Sequence, residues 1–204
     1  MLGNPASSAG QAVTPLSVAE PAPRQVRGPS ILDRLDRPAQ WRPLTGDPGG
    51  SCVFDDELVV TTDESNVVEC PGPADSFAGD QSIEVDVTVR NPGSCALIWF
   101  RFVGRSGYKL SACETTVRLD LDNDGDETTL TKVASTAFRA GHRERVLIDL
   151  RAQTASVTIG DAVVFQAPVT DPGLVAGKIV LGAGSDSAEG PARVSFAEAE
   201  FRSL

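Results

Sequence analysis

Eight consecutive residues near the middle of the chain are rich in carboxylates: Asp120-Leu121-Asp122-Asn123-Asp124-Gly125-Asp126-Glu127. Carboxylate oxygens are preferred calcium ligands and repel one another without a cation, so Asp122, Asp124 and Asp126 are candidate calcium ligands. An EF-hand would also need flanking helices and a bidentate glutamate at its twelfth position, where the sequence has Thr131. A hairpin turn at Asp124-Gly125 accounts for the same residues without a metal. Calcium is the one cofactor that the sequence suggests.

A sugar-binding face is the second kind of site that the residue types suggest. Trp99, Arg101, Tyr108 and Lys109 fall on two segments that we expect to pair as strands. Aromatic rings pack against sugar rings, and a neighbouring cationic side chain donates hydrogen bonds to hydroxyl groups. The alternative is that Trp99 and Phe100 fill the core while Arg101 pairs with a carboxylate across the sheet.

Other residues that could do chemistry are sparse. The one histidine, His142, lies in a polar Gly-His-Arg-Glu stretch that we expect at the surface. No serine or cysteine has a base partner at a recognisable spacing, so a nucleophilic triad is not supported. Asp186 and Glu189, in the loop 184–190, form a second acidic pair that would suit a calcium ion.

Four cysteines, Cys52, Cys70, Cys95 and Cys113, permit three pairings, among which the sequence alone does not choose. Locality favours Cys52–Cys70 and Cys95–Cys113, and each closed loop would contribute about 3 kcal/mol to stability. A two-residue turn at Arg105-Ser106 would place Cys95 and Cys113 on opposite sheet faces, so that pairing requires a β-bulge or a longer turn. Zinc is disfavoured, because close cysteine pairs and neighbouring histidines are lacking. Disulfides predict an oxidising compartment, the cell surface or the medium.

Composition and charge exclude several classes of function. Of the 204 residues, 41% are hydrophobic and 23% are charged, as in ordinary globular domains. No apolar run approaches the roughly 20 residues that a membrane-spanning helix needs. The 18 basic and 28 acidic residues give a formal charge of −10, which disfavours nucleic-acid binding through a basic face.

The proline content divides the chain near residue 50. Eight of the 14 prolines lie in the first 50 residues, and we expect residues 1–45 to form a disordered or extended linker. Within it, Ser30 would cap one helical turn near 30–36, which Pro38 would end. Trp41 is expected to dock on the domain that follows. The start of the chain lacks the charged-then-apolar profile of a secretion signal. Two explanations are open: Met1 is an added start, or an export signal and any anchor have been removed.

Residues 46–204 are expected to form one domain, and from Cys52 onward its apolar and polar side chains recur with a period of two. The segment from Ser82 to Arg90 alternates almost strictly, and shorter segments at 146–150, 155–159 and 192–196 repeat the pattern. Turn sequences rich in Gly, Asp and Pro separate these segments. The spacing predicts about a dozen strands and no long helix, and therefore an all-β domain of two packed antiparallel sheets, a sandwich or jelly roll.

Several landmarks occur in an order that resembles a known family. They are Ser51-Cys52-Val53-Phe54, Cys70-Pro71-Gly72-Pro73, the run from Ser94 to Phe102, Gly107-Tyr108-Lys109-Leu110 and Cys113-Glu114. Together they resemble the concanavalin A-like (laminin-G/glucanase-like) jelly-roll domains of actinobacterial surface proteins, which often form the extracellular part of membrane-bound serine/threonine protein kinases. The resemblance covers residues 41–204 and also implies the local cysteine pairing. It implies a fold more than a function, because this fold hosts lectins, hydrolases and spacers.

Glycosidases of that family carry a Glu-x-Asp-x-x-Glu strand, and alternate residues on a strand share one face. The resemblance maps the first two acids onto Glu84 and Asp86, but Val89 stands at the third position. A retaining mechanism needs two carboxyl groups about 5 Å apart, so we expect Glu84 and Asp86 to be solvent-facing strand residues.

The sequence favours a non-enzymatic extracellular binding or sensory module that recognises a glycan or another cell-envelope component near Trp99, Arg101 and Tyr108. A concanavalin A-like hydrolase acting on sugars is one alternative. A purely structural domain, or one that docks a protein partner, is another. An enzyme requires two convergent carboxylates, a lectin requires an accessible aromatic groove, and a spacer requires neither.

Overall fold

The computed structural model describes residues 29–63, 66–186 and 190–204. This part of the chain contains sixteen β-strands and no α-helix. In chain order the strands are β1 (Ser30–Asp33), β2 (Leu44–Asp47), β3 (Gly50–Phe54), β4 (Leu58–Thr62), β5 (Val68–Glu69), β6 (Phe77–Ala78), β7 (Gln81–Val89), β8 (Ser94–Val103), β9 (Ser106–Cys113), β10 (Thr116–Asn123), β11 (Asp126–Ala134), β12 (Arg143–Arg151), β13 (Thr154–Ile159), β14 (Ala162–Pro168), β15 (Ala176–Ser185) and β16 (Arg193–Ser203).

The strands form two antiparallel sheets. A nine-stranded sheet has the order β14-β13-β12-β7-β16-β4-β3-β2, and β1 pairs with β16 beside that path. A seven-stranded sheet has the order β11-β10-β9-β8-β15-β5, and β6 pairs with β15. Some consecutive strands pair as hairpins within one sheet, and others cross from one sheet to the other. The result is a jelly-roll-like sandwich. The predicted all-β, two-sheet architecture is confirmed.

The core lies between the two sheets and follows the alternation of the sequence. In β7, Ile83, Val85 and Val87 are completely buried, whereas the residues between them are partly exposed. From the seven-stranded sheet, Phe100 and Tyr108 meet in the same core, with their rings stacked at a centroid distance of 5.5 Å. Burial of apolar area at about 25 cal/mol per Å² is the main stabilising contribution to such a sandwich.

The helical turn predicted near 30–36 is wrong, because Ser30–Asp33 forms strand β1. Ile31 and Asp33 are buried while Ser30 and Leu32 are exposed, which is strand periodicity. A partner strand distant in the chain, β16, supplies the hydrogen bonds that a short isolated helix would have lacked. The Asp33 carboxylate then accepts hydrogen bonds from the backbone amides of Leu35 and Gln40, at 2.9 and 3.1 Å, after the strand has ended.

Trp41 docks on the domain as predicted and is completely buried. Its ring makes an edge-on contact with Phe201 at a centroid distance of 5.6 Å, and the Arg42 amide donates to the Pro71 carbonyl at 2.8 Å. Strand β1 and Trp41 thus belong to the packed domain, ahead of the predicted boundary at residue 46. The rest of the predicted linker, residues 1–28, lies outside the described residues.

Both predicted disulfides, Cys52–Cys70 and Cys95–Cys113, are present. Cys95 and Cys113 are direct partners across β8 and β9, and the two-residue turn between these strands is Gly104-Arg105. A bulge between Phe100 and Val103 shifts the register by one residue, as the pairing requires. Within that bulge Arg101 has a φ of 49°.

Among the described residues, no helix is long and apolar enough to cross a membrane.

Candidate functional site

The outer face of the seven-stranded sheet, opposite the core, carries an aromatic ring surrounded by charged side chains. Register places Trp99 of β8 beside Lys109 of β9, and Lys109 beside Asp120 of β10. The same face receives Arg118 and Asp122, which alternate with Asp120 along β10, and Glu127 of β11. We refer to Trp99, Lys109, Arg118, Asp120, Asp122 and Glu127 as the polar cluster.

Trp99 is fixed by contacts on both sides of its indole. Its Nε1 donates to Asp122 Oδ2 at 3.0 Å, and Asp122 Oδ1 accepts from the Gly125 amide at 3.0 Å. The Lys109 ammonium lies 5.9 Å from the centroid of the ring and forms an ion pair with Glu127. A buried ammonium above an indole is stabilised both by the ring quadrupole and by its carboxylate partner.

Arg118 connects the other acids of the polar cluster. Its Nη2 lies 2.9 Å from Glu127 Oε2, and its Nε lies 2.7 Å from Asp120 Oδ2. Asp120 is completely buried and also accepts from Thr129 Oγ1 at 2.8 Å. Arg118 and Glu127 both keep 32% of their side-chain surface exposed. The cluster therefore holds a guanidinium and a carboxylate in defined positions at the solvent boundary.

One cleft includes residues of the polar cluster, and a second is lined by neighbouring residues of β5, β8 and β15. One, of about 130 Å³, is lined by Lys109, Arg118, Glu127 and Asp186 together with the Cys95–Cys113 bridge. Another, of about 370 Å³, is lined by Glu69, Phe102 and Lys178 among others. Burial of the Glu69 carboxyl is the main cause that raises its pKa, and repulsion from the Asp122 carboxylate is the second.

The four residues predicted to bind sugar do not form one platform. Trp99 and Lys109 point to the outer face, whereas Tyr108 points into the core. Trp99 is 1% exposed and Lys109 3% exposed, so the indole is covered and not presented to solvent. Burial raises the pKa of the Tyr108 phenol, whose oxygen accepts from the Asp171 amide at 2.8 Å. A ligand-binding role for these residues stays a prediction.

Arg101 also lies apart from the polar cluster, because the bulge redirects it to one end of the sandwich. It is 4% exposed, and its guanidinium donates to the carbonyls of Gly79, Val169 and Ala152 at 3.2 to 3.5 Å. The alternative expectation, a carboxylate partner across the sheet, is wrong within the described residues, since the acceptors are backbone carbonyls of three loops.

The acidic run forms a hairpin, as the alternative expectation held. Asn123 pairs with Asp126, and the turn residues Asp124 and Gly125 have φ values of 56° and 90°, typical of a type I′ turn. The Asp124 carboxylate forms an ion pair with Arg105. Asp122 is engaged by the donors of Trp99 and Gly125.

The three aspartates do not converge on a metal position. In the described part of the chain, the one group of three ligand atoms within 4.8 Å of each other is the Cys95–Cys113 bridge with Asp186, and disulfide sulfurs are poor metal ligands. Asp186 accepts from Thr116 Oγ1 at 3.4 Å. Glu189 lies outside the described residues. Calcium at Asp122, Asp124 and Asp126, or at Asp186, stays a prediction.

Glu84 and Asp86 lie on the outer face of the nine-stranded sheet, as expected for solvent-facing strand residues. Arg145 of β12 reaches both, with Nη1 2.9 Å from Glu84 Oε1 and Nε 2.9 Å from Asp86 Oδ1. Asp86, followed by Glu84, raises the pKa of Arg145. Both carboxylates are therefore held as the partners of a guanidinium.

Sequence reasoning missed Arg118, Asp120, Glu127 and Glu69 as members of this face. Their contacts connect strands, so they depend on a register that the sequence does not state. One local signal was available: Arg118, Asp120 and Asp122 alternate with Val117, Leu119 and Leu121, which marks one charged face of β10.

Gly182 of β15 gives the indole of Trp99 its space. A Cβ at Gly182 would lie 2.1 Å from the Val68 carbonyl oxygen and 2.8 Å from Trp99 Cζ3. Gly182→Ala is therefore expected to lower the free energy of unfolding by about 2–3 kcal/mol, measured by urea denaturation. Gly184→Ala, on the same strand and face, meets only side chains, Leu97 at 3.0 Å and Val67 at 3.5 Å, and no backbone atom within 3.8 Å, so it is the control. Equal losses in the two variants would contradict this packing.

Solved structures of known proteins share this fold at low sequence identity. A carbohydrate-binding module, CBM66 from Bacillus subtilis, superimposes with a TM-score of 0.63 at 14% identity, covering 81% of this chain and 96% of the module. A Bacillus subtilis protein of unknown function with a galectin-like fold gives 0.62 at 16% identity, covering 86% of this chain and 96% of that protein. A Bacillus licheniformis β-glucanase gives 0.62 at 11% identity, covering 87% of this chain and 99% of the glucanase. No protein-family model and no curated protein sequence matches the chain.

Proposed function

We propose that the chain is a non-enzymatic, extracellular glycan-binding module that meets its ligand at the outer face of the seven-stranded sheet. The observation that carries this proposal is the polar cluster, in which Arg118 and Glu127 are held by buried partners yet keep 32% of their side-chain surface exposed. Fixed donors and acceptors beside an aromatic residue provide directional hydrogen bonds to hydroxyl groups at a small entropic cost.

The comparisons support a sugar-related function at the level of the fold. The similar structures include a carbohydrate-binding module and a glucanase, so the fold accommodates both binding and hydrolysis. The two disulfides support an extracellular location, since such bonds persist in oxidising compartments. A position in the envelope of an actinobacterium, as part of a membrane-bound serine/threonine kinase, is the finer proposal that the sequence resemblance supports.

Glycan-array binding, followed by calorimetry on the best oligosaccharide, tests the proposal. Glu127→Gln and Arg118→Ala are expected to weaken binding at least about tenfold, because hydrogen bonds to charged groups contribute about 1.5–3 kcal/mol. Arg145→Ala is the matched control, since Arg145 holds two carboxylates on the opposite outer face of the sandwich. An Arg145 variant as weak as the polar-cluster variants, or no binding to any glycan, would remove the site.

A hydrolase is the second candidate, and one observation favours it. Burial, and next the Asp122 carboxylate, raise the pKa of Glu69, and a carboxyl with a raised pKa near a second carboxylate resembles the division between a general acid and its partner. Release of reducing ends from oligosaccharides, abolished by both Glu69→Gln and Asp122→Asn, would establish hydrolysis. Bound glycan that is recovered intact after prolonged incubation favours the binding module.

A further inference from the structure

A cleft at one end of the sandwich is separate from the polar cluster. Its walls come from the chain around Gly79, the β12–β13 turn at Ala152-Gln153, and the segment 169–175 between β14 and β15. Its volume of about 590 Å³ lies in the range of small-molecule sites. Apolar side chains, Ala78, Val169, Pro172 and Val175, form much of the lining.

The Arg101 guanidinium lies in the wall of this end cleft and has little compensation for its charge. Its Nη2 donates to the carbonyls of Gly79 and Ala152 at 3.2 and 3.5 Å, and its Nη1 to that of Val169 at 3.5 Å. Its Nε, also buried, has no acceptor within the described part of the chain. Buried arginines are normally paired with an anion, because neutral acceptors at such distances replace only part of the lost hydration.

The acids nearest to the end cleft are engaged elsewhere. The Asp171 carboxylate, on its wall, accepts from the Gly173 amide at 2.8 Å and forms no ion pair with Arg101 in the described residues. Asp80 accepts from the Ala152 amide at 2.7 Å. The end cleft therefore combines an apolar wall with one buried cation that lacks an anionic partner.

We infer that the end cleft binds a small monocarboxylic acid with an apolar body. The carboxylate would replace the Val169 and Ala152 carbonyls, both at 3.5 Å, and accept one hydrogen bond from each Nη of Arg101, in the planar two-oxygen geometry that suits a guanidinium. The apolar body would pack against Val169, Pro172 and Val175. A free organic acid and the C-terminal carboxylate of an apolar peptide present the same chemistry.

Titration of the full chain with benzoate and with benzamide tests the charge requirement. Calorimetry gives the affinities, and the Nε–Hε resonance of Arg101 reports contact at the guanidinium. Benzoate is expected to shift that resonance and to bind at least about tenfold tighter than benzamide, because the amide lacks the charge-assisted bonds. Equal affinities, or no shift at Arg101, would overturn the inference. A parallel titration with N-acetyl-alanyl-leucine identifies the source: tighter binding than benzoate indicates a peptide terminus, and weaker binding indicates a free acid.

Because Arg101 also connects three loops, its substitution is expected to destabilise the fold. A residue at the rim of the end cleft is therefore substituted instead. Val175 is 62% exposed at the end cleft, whereas Val163 is 63% exposed on β14 and does not line it. Val175→Asp is expected to weaken benzoate binding about tenfold through repulsion between carboxylates, and Val163→Asp to leave it unchanged. Unchanged benzoate binding by a folded Val175→Asp protein, measured beside a Val163→Asp control that binds benzoate as the wild type does, would refute the assignment.

Discussion

Tyr108→Ala is expected to lower the free energy of unfolding by about 3–5 kcal/mol, as the removal of a large buried ring does. The ring is 1% exposed and stacks on Phe100 with an angle of 18° between the ring planes. Tyr108→Phe removes only the hydroxyl that accepts from the Asp171 amide, so its loss is expected to be about 1–2 kcal/mol. Urea denaturation, with the midpoint and the slope analysed separately, measures both losses.

The glycan affinity of these variants decides whether Tyr108 belongs to the core or to the ligand site. Because Tyr108 points away from the polar cluster, Tyr108→Phe is expected to bind glycans as the wild type does. A Tyr108→Ala protein with wild-type stability and no glycan binding would contradict the interior position. That outcome would support the sequence-based hypothesis that Tyr108 contacts sugar.

Loss of both disulfides is expected to lower the free energy of unfolding by about 6 kcal/mol in total. Each bridge joins residues 18 positions apart, for which the chain-entropy relation gives about 3 kcal/mol. Comparing denaturation of the native protein with that of the double variants Cys52→Ala/Cys70→Ala and Cys95→Ala/Cys113→Ala separates the two contributions. A combined loss of less than about 2 kcal/mol would contradict the entropic account.

The two bridges are expected to differ in their local consequences. Cys95–Cys113 joins strands that are already hydrogen-bonded, whereas Cys52–Cys70 joins β3 of one sheet to the end of β5 in the other. Gly72, two residues beyond Cys70, lies against Trp41, with Trp41 Nε1 2.7 Å from where a Cβ would stand. In a Trp99→Phe background, the Cys52/Cys70 variant should therefore shift the Trp41 emission to the red under native conditions, and the Cys95/Cys113 variant should not.

The fold class could be predicted because it depends on local patterns, whereas the cysteine pairing was favoured by locality and implied by the family resemblance. Strict alternation in β7 specified which side chains enter the core, and loop closure favoured the nearest cysteine partners. Residues 30–36 were mispredicted because a serine followed by a short polar and apolar mixture satisfies helix capping locally. The partner that makes Ser30–Asp33 a strand, β16, lies at the opposite end of the chain.

The candidate site was harder to predict, because the side that a strand residue faces depends on register. Tyr108 and Lys109 are adjacent in sequence, yet one enters the core and the other covers Trp99. The bulge at Arg101 then moves a third predicted residue to the end of the sandwich. The predicted sugar-binding residues therefore lie on strands that do form the candidate site, but their side chains belong to different faces of the sheet.

The number of positions between the two cysteines of the β8–β9 hairpin already implies the β-bulge. Direct partners across a plain two-residue turn always differ by an odd number of positions, whereas Cys95 and Cys113 differ by 18. Even spacing thus marks one inserted residue, and in this chain the inserted conformation falls at Arg101. Among related chains with the same turn and the same cystine, an odd cysteine spacing should therefore come without the bulge, and an even spacing should come with it. A one-residue deletion that keeps the bulge would place the two thiols on opposite faces of the sheet.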